Sequence, residues 1–382
     1  MKIAVLSPYE LPVPAIKGGA VESLVELLVR NNEKEKIDLT IISYNDQQAI
    51  SAAKEFKSTH FIWNKYRLNN YDLINRLLRR AGLSWRYHPA VSRLNNLNDY
   101  DVIIVENCLG AILPIRRRYN GKLIFHVHAD NVHASNPDVQ KAIQACDGII
   151  AVSKFIAHRI LTVVPNASVE VLYNGIETDV YQLRCRKKNN KSVVIGFIGR
   201  LTAAKGVDKL LDAFIEIKKA HIDWDLSLRI IGGSAFKGGL ENEFTTMLKE
   251  KARPYERMVT FTGYIDHKYM AKEIAKCDVV VAPSQCNDAL PLSVAEAMAC
   301  GCLVVATEIG GIPEIQNDKR YLVKPSDNYV DALIQTLEVA VMDIICERFV
   351  MQTARERIVE YFNGDNYLKN LVKLLGNFEN KH

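Results

Sequence analysis

The chain has 382 residues, 48% hydrophobic and 24% charged, with a formal net charge of +5. Domains usually run ~100–200 residues, so a globular protein of two domains is expected. The charge is too mild to imply nucleic acid, the eight cysteines form no CxxC pair or Cys/His cluster of the zinc kind, and no apolar run reaches the ~18 residues of a membrane span.

The opening MKIAVL is too short for a signal peptide and reads as a first strand, over residues 2–7. Further runs rich in Val and Ile follow at 39–43, 102–106, 122–127, 148–152 and 169–172. A second series covers 194–198, 226–231, 259–262, 279–282 and 303–306. These runs are apolar on both faces, as buried parallel strands are, and they alternate with helical patterns. Two α/β domains with right-handed crossovers follow. Residues 184–192 (RCRKKNNKS) are polar and basic without a hydrophobic period, which marks a linker. The expected organisation is a first domain over 1–184, a second over 185–360, and a terminal helix within 361–382 packing back on the first. The cysteines, with Cys108, Cys146 and Cys277 in or beside apolar runs, are expected to be reduced thiols of a cytoplasmic protein.

Ligands of open α/β sheets bind outside the carboxyl ends of the strands, which sorts the motifs by position. After the first strand, Lys17-Gly18-Gly19-Ala20-Val21-Glu22 precedes an amphipathic helix; it is either a phosphate or sugar contact at the helix's positive end or a plain turn. Gly199-Arg200-Leu201 and Lys205-Gly206 put two cations and two glycines at one strand-to-helix turn, a set suited to pyrophosphate, although GxxxxGK[ST] spacing is absent. Asp288 follows the strand VVVA, and Glu296 lies eight residues later inside an apolar helical stretch. Carboxylates at that edge can accept bonds from the vicinal hydroxyls of a ribose and a hexose; the plain readings are an N-cap and a surface residue. His126 and His128 end the strand LIFHV at the same kind of edge. Asp99-Tyr100-Asp101 and Asp223-Trp224-Asp225 look like metal-binding DxD pairs but stand immediately before strands, so no metal is expected.

In order along the chain, ACDGIIAVSKFIAHRI, VLYNGIETDVY, FIGRLTAAKGVDKLLDAF, VTFTGYI, CDVVVAPSQ and DALPLSVAEAMACGCLVVATEIGGIPEI resemble the retaining GT-B glycosyltransferases of the family-four type. The resemblance spans nearly the whole chain. It implies an α/β GT-B fold: two Rossmann-like, doubly wound parallel-sheet domains facing across a cleft that closes around the substrates. It also implies that Arg200 and Lys205 grip the donor pyrophosphate in place of a metal and that Glu296 binds the nucleotide ribose. Asp288 and the backbone of Leu290, Pro291 and Leu292 would hold the donor sugar, and His128 would face that sugar and support its transfer. Gly18 and Gly19 would approach phosphate and acceptor, and the backbone near Ile265 would meet the base. The implied reaction is transfer from a nucleoside-diphosphate sugar, a UDP-sugar foremost, to a saccharide or lipid-linked acceptor, with retention and without a cofactor. No nucleophile is apparent for a covalent intermediate, so a front-face transfer is expected, the leaving phosphate drawing the acceptor proton. Two positions depart from the pattern: Asp288 stands where Glu is more common, and Pro291 where many members carry Gly.

Residues 62–96 interleave Arg with Trp, Tyr and Leu, and Arg116, Arg117 and Arg118 add a second cluster. This is either a solvated basic face or a contact with an anionic membrane on its cytoplasmic side. The membrane reading points to envelope or exopolysaccharide assembly. Nucleic acid is not an expected partner. The competing functions are a sugar-nucleotide epimerase on the same fold and a non-catalytic partner of a true transferase.

Overall fold

Strands without a polar face are stable only in a sheet covered on both sides. The computed structural model describes residues 1–8, 11–64, 74, 77–78, 80–81, 91, 95–133, 138–184, 191–234 and 242–379. In it the chain divides into two units, 1–175 with 365–382, and 176–364.

The first unit contains β1 (Lys2–Leu6), α1 (Ala20–Glu35), β2 (Asp38–Tyr44), α2 (Gln47–Ala53), β3 (Thr59–Asn64), β4 (Val102–Glu106), α3 (Leu109–Arg116), β5 (Lys122–Val127), α4 (Val139–Gln144), β6 (Gly148–Ala151), α5 (Lys154–Val163) and β7 (Val169–Val171). Its seven described strands pair in the order β3-β2-β1-β4-β5-β6-β7, each neighbouring pair parallel. β3 escapes the apolar-run criterion because it is an edge strand whose side chains alternate with polar His60 and Asn64.

The second unit repeats the plan with β8 (Val193–Ile198), α6 (Val207–Ala220), β9 (Leu226–Ile231), α7 (Glu243–Ala252), β10 (Val259–Gly263), α8 (His267–Ile274), β11 (Val279–Ala282), α9 (Leu292–Ala299), β12 (Leu303–Thr307), α10 (Ile312–Ile315), β13 (Leu322–Val323), α11 (Tyr329–Ile345) and α12 (Met351–Tyr361). The parallel order is β10-β9-β8-β11-β12-β13. The apolar stripe of α6 (Val207, Leu210, Leu211, Phe214) packs with Ile195, Leu228, Val281 and Leu337 into one core. Each such side chain contributes ~1.5–3 kcal/mol of burial. Both sheets reverse their strand order once, at β1/β4 and at β8/β11, and these reversals open the crevices where ligands of this architecture bind.

The division falls at 175/176, before the polar stretch that suggested 184/185. Residues 176–184 are tied into the second unit. Ile176 N donates to Phe362 O at 2.7 Å, and the buried Arg184 meets Asp278 at 2.7 Å. Polarity marks a loop, but Arg184 is a buried ion-paired residue. Of the remaining linker residues, 185–190 lie outside the described residues. The helical periodicity of the tail resolves into α12 and α13 (Tyr367–Leu375). α13 belongs to the first unit: it packs on α1, with Tyr367, Leu368, Leu371 and Leu375 buried and Leu368 N donating to Asn31 Oδ1 at 3.1 Å.

Candidate active site

At the reversal of the second sheet, the loops after β8 and β11 touch through their backbones. Gly206 opens α6 at φ 67°, and a Cβ there would stand 1.9 Å from the Pro283 carbonyl oxygen. Gly232, at φ 133°, approaches Gly199 equally closely; its Cβ would lie 2.0 Å from the Gly199 oxygen. Glycine is therefore a steric requirement of both loops. The approach lets Lys205, on the turn before α6, pair its ammonium with Asp288 Oδ1. Ser284 Oγ donates to the other oxygen of Asp288 at 2.5 Å, and Gly311 N donates to its carbonyl at 2.7 Å. Arg200 is exposed at the same edge. Burial and Asp288 raise the pKa of the neighbouring Cys286 thiol, while Lys205 and Arg200 oppose the rise. Two cations and one carboxylate thus share the β8/β11 edge.

Leu290 and Pro291 lead into α9, which begins at Leu292 without a side-chain cap. Glu296 lies on that helix among buried Val294, Ala295, Ala297 and Met298, and is itself only 7% exposed. Tyr181 Oη donates to Glu296 Oε1 at 2.9 Å, and His267 Nε2 lies 3.6 Å from the same oxygen. Burial, followed by Glu296, pushes the Tyr181 phenol far up, so it stays a proton donor. Half-buried Ile265 immediately precedes Asp266, whose carboxylate caps α8.

The first unit offers a different chemistry at its carboxyl edge. Glu106 ends β4 and pairs in register with His126 of β5, so the two side chains share a sheet face. His128, two residues on, joins them: its Nε2 lies 2.6 Å from Glu106 Oε2, and His126 Nδ1 lies 3.0 Å from the same oxygen. Burial penalises the Glu106 carboxylate, but His126 and His128 outweigh it and hold the pKa down, at about 2. Burial and His126 lower His128 to about 4, which makes that imidazole neutral at pH 7. Asn107, at φ 50°, turns the chain so that its Oδ1 accepts from His128 N and Asn131 Nδ2, each at 3.2 Å. Gly18 and Gly19 adopt φ 79° and 107°, and the carboxylate of Glu22 fills the space a Gly19 Cβ would take, at 2.1 Å from it. The Glu22 carboxylate thus stands at the turn that Gly18 and Gly19 form.

The basic segment 62–96 lies largely outside the described residues. Of the second cluster, Arg116 is engaged internally, on Asp147 at 3.1 Å and on the Tyr119 and Gly121 carbonyls. Arg118 donates to Val91 O at 2.7 Å. Among the described residues no helix is long and apolar enough to cross a membrane.

Arg200, Lys205 and Asp288 therefore come together, Glu296 sits nearby in sequence on the helix after Asp288, and His128 stands in the other unit. Sequence reasoning missed Ser284, Tyr181, His267 and Glu106. Ser284 and Glu106 carried a signal, since both end strand runs at the ligand edge. Tyr181 carried none, because its contact with Glu296 spans 115 positions.

Residues 192–343 match the family model described as Glycosyl transferases group 1, and residues 18–180 match that of Glycosyltransferase Family 4. YtcC of Bacillus subtilis is 26% identical over 97% of this chain and 91% of its own length. The lipopolysaccharide 1,2-N-acetylglucosaminetransferase of Salmonella typhimurium is 25% identical over 77% of this chain and 78% of its own. Among solved structures, Anabaena HepE in complex with UDP superposes with a TM-score of 0.74 at 17% identity, covering 99% of this chain and 100% of that one. TarM superposes at 0.71 with 16% identity, over 98% and 99%.

Proposed function

We propose that this chain, a glycosyltransferase of GT-B fold, moves a sugar from a UDP-sugar to a saccharide or lipid-linked acceptor with retention of configuration. The observation that carries the reading is the edge at β8/β11, where Arg200 and the Lys205–Asp288 pair stand at a crevice of a parallel sheet. A diphosphate competes with Asp288 for Lys205. When it binds, Lys205 and Arg200 neutralise the leaving group without a metal at the pyrophosphate, and Asp288 turns to the hydroxyls of the donor sugar. The backbone of Leu290, Pro291 and Leu292, at the uncapped start of α9, completes that sugar's site. Glu296, held by Tyr181, accepts from the ribose hydroxyls, and the backbone at Ile265 meets the base. His128 faces the donor sugar, its Nε2 engaged by Glu106. Gly18 and Gly19 receive the acceptor. The leaving phosphate takes the acceptor proton on the face it departs from.

The choice of uridine leans on HepE, solved with UDP and with UDP-glucose. The envelope role leans on the Salmonella relative, a lipopolysaccharide transferase. Contact with the cytoplasmic membrane through the basic segment 62–96 belongs to the same proposal. Salt-sensitive sedimentation with anionic vesicles tests it, and a chain that stays in the supernatant at low salt rejects it.

The deciding experiment is calorimetric titration with UDP, GDP and ADP of the wild type, Arg200→Ala and Glu296→Ala. Selective UDP binding, weakened in both variants, is the expected result. Absence of binding by any diphosphate rejects the enzyme reading in favour of a non-catalytic partner. Release of free or isomerised sugar from the donor without an acceptor favours an epimerase. Proton NMR of the product's anomeric coupling tests retention.

A further inference from the structure

One buried face of the first unit holds more polar atoms than its hydrogen bonds use. Glu106 Oε1, both ring nitrogens of His126, His128 Nδ1 and Tyr367 Oη are buried and have no hydrogen-bond partner among the described residues. Glu106 is 1% exposed and His126 0%. Such atoms in one place point to a missing ion or water, because each unmet group costs ~1–3 kcal/mol. The arrangement of His126 is the most informative. Its Nδ1 lies 3.0 Å from Glu106 Oε2 yet off the line of an N–H bond, and its Nε2 has no partner among the described residues. A ring nitrogen and a carboxylate oxygen converging from adjacent strands are what a cation requires.

We propose that Glu106, His126 and His128 bind one divalent transition-metal ion of the zinc class. One ligand atom from each lies within 4.8 Å of the others. Metal–ligand bonds of ~2.0–2.2 Å put the donors of a tetrahedral site roughly 3.3–3.6 Å apart. Inserting the ion needs Glu106 Oε2 to draw back from both imidazoles, now 2.6 Å from His128 Nε2 and 3.0 Å from His126 Nδ1. Two imidazoles and one carboxylate select a borderline ion over magnesium or calcium, which prefer all-oxygen sets. The fourth position is left for water or substrate, and the Tyr367 hydroxyl, whose pKa burial and then Glu106 push up, lies beside the cluster. The ligands all belong to the first unit, whereas Arg200 and Lys205 belong to the second. Metal at His128 Nε2 would make Nδ1 an N–H donor, whereas the hydrogen bond to Glu106 through Nε2–H leaves Nδ1 an acceptor. Only this consequence rests on His128 meeting the substrate.

The test uses the tag-free full-length chain stripped with a chelator. Calorimetry with Zn²⁺ is expected to give one tight site per chain, and Co²⁺ is expected to give the intense visible absorption of a four-coordinate site. Glu106→Gln and His126→Gln are expected to weaken binding by more than the ~10–100-fold that loss of an outer-shell partner costs. Far-UV circular dichroism and melting without metal check that each variant folds. If a variant does not fold, ¹⁵N spectra of the wild-type histidines decide the matter: Zn²⁺ must shift His126 and His128 ahead of the other histidines. Failure of the folded wild type to bind Zn²⁺ stoichiometrically, or binding that both variants retain, or shifts confined to surface histidines, overturns the proposal. UDP titration of the same sample reads the second unit separately.

Discussion

The two sheets reverse strand order in the same way, yet the residues at the two reversals are opposites. At β8/β11 the groups are cationic and partly exposed: Arg200, and Lys205 held against Asp288. At β4/β5, beside the other reversal, Glu106, His126 and His128 form a buried cluster whose imidazole at His128 is neutral. The fold supplies two similar reversals, and side-chain chemistry makes one suited to an anion and the other, as proposed, to hydroxyls or a cation. Topology locates sites here, and charge assigns them.

The sharpest way to break this contrast is to remove the cations. Lys205→Ala or Arg200→Ala is expected to lower kcat for sugar transfer by about 100- to 1,000-fold, the scale of losing one preorganised charge at a developing anion. Lys205→Ala also strands Asp288 with Ser284 as its remaining side-chain donor, so UDP affinity falls as well. Steady-state kinetics with a charge-free readout of the product checks both. A loss under about 3-fold in either variant would show that pyrophosphate is not bound here.

The next effect is on folding, and it is confined to the second unit. Gly206→Ala puts a methyl where the Pro283 oxygen stands, at a backbone φ of 67°. The expected cost is about 3 kcal/mol or more. In a unit of this size that lowers Tm by about 6–12 °C. Gly263→Ala is the control: its φ is 68°, but nothing lies within 4 Å of the added methyl, so only the conformational strain remains. Equal melting points for the two would mean that the close approach of the loops carries no energy.

The same glycines show how far the sequence could be read. Val- and Ile-rich runs disclose a strand buried on both faces, and the five interior strands of the first sheet and the interior strands of the second stand out that way. Edge strand β3 and the two-residue β13 bury too little for the pattern to register. Arg200, Lys205, Asp288 and Glu296 were legible because charges at the carboxyl end of apolar strands, or inside an apolar helix, have few other reasons to be there. Glu106 was read as the end of a strand because its relation to His126 exists only in the register of β4 on β5. Arg184 misled, since a buried arginine paired to Asp278 and an exposed linker arginine look alike until the partner, 94 positions away, is known.

A smaller effect separates the carboxylate from its support. Tyr181→Phe removes the phenol that donates to Glu296 at 2.9 Å, leaving His267 at 3.6 Å as its nearer polar neighbour. One hydrogen bond of about 1 kcal/mol corresponds to roughly 5-fold in UDP affinity. The penalty is expected to appear in KM more than in kcat, and to shrink when the ribose hydroxyl that Glu296 accepts from is deleted from the nucleotide. A penalty identical for UDP and its 2′-deoxy and 3′-deoxy analogues would detach Glu296 from the ribose.

The mildest change returns to the position where the chain departs from the pattern it resembles. Asp288 already contacts Lys205, Ser284 and the backbone of Gly311. Asp288→Glu adds one methylene to a side chain whose two oxygens are both engaged, so the carboxylate must either push past Lys205 or swing away from Ser284. In both cases the charge is kept, and the expected loss in kcat/KM is only about 3- to 10-fold, or 0.7–1.4 kcal/mol. The informative quantity is the ratio between donors that differ at one hydroxyl. If Asp288 meets the sugar, the longer arm changes that ratio. If its work is to hold Lys205, every donor slows by the same factor, and the specificity of the second unit has to come from the backbone between Leu290 and Leu292.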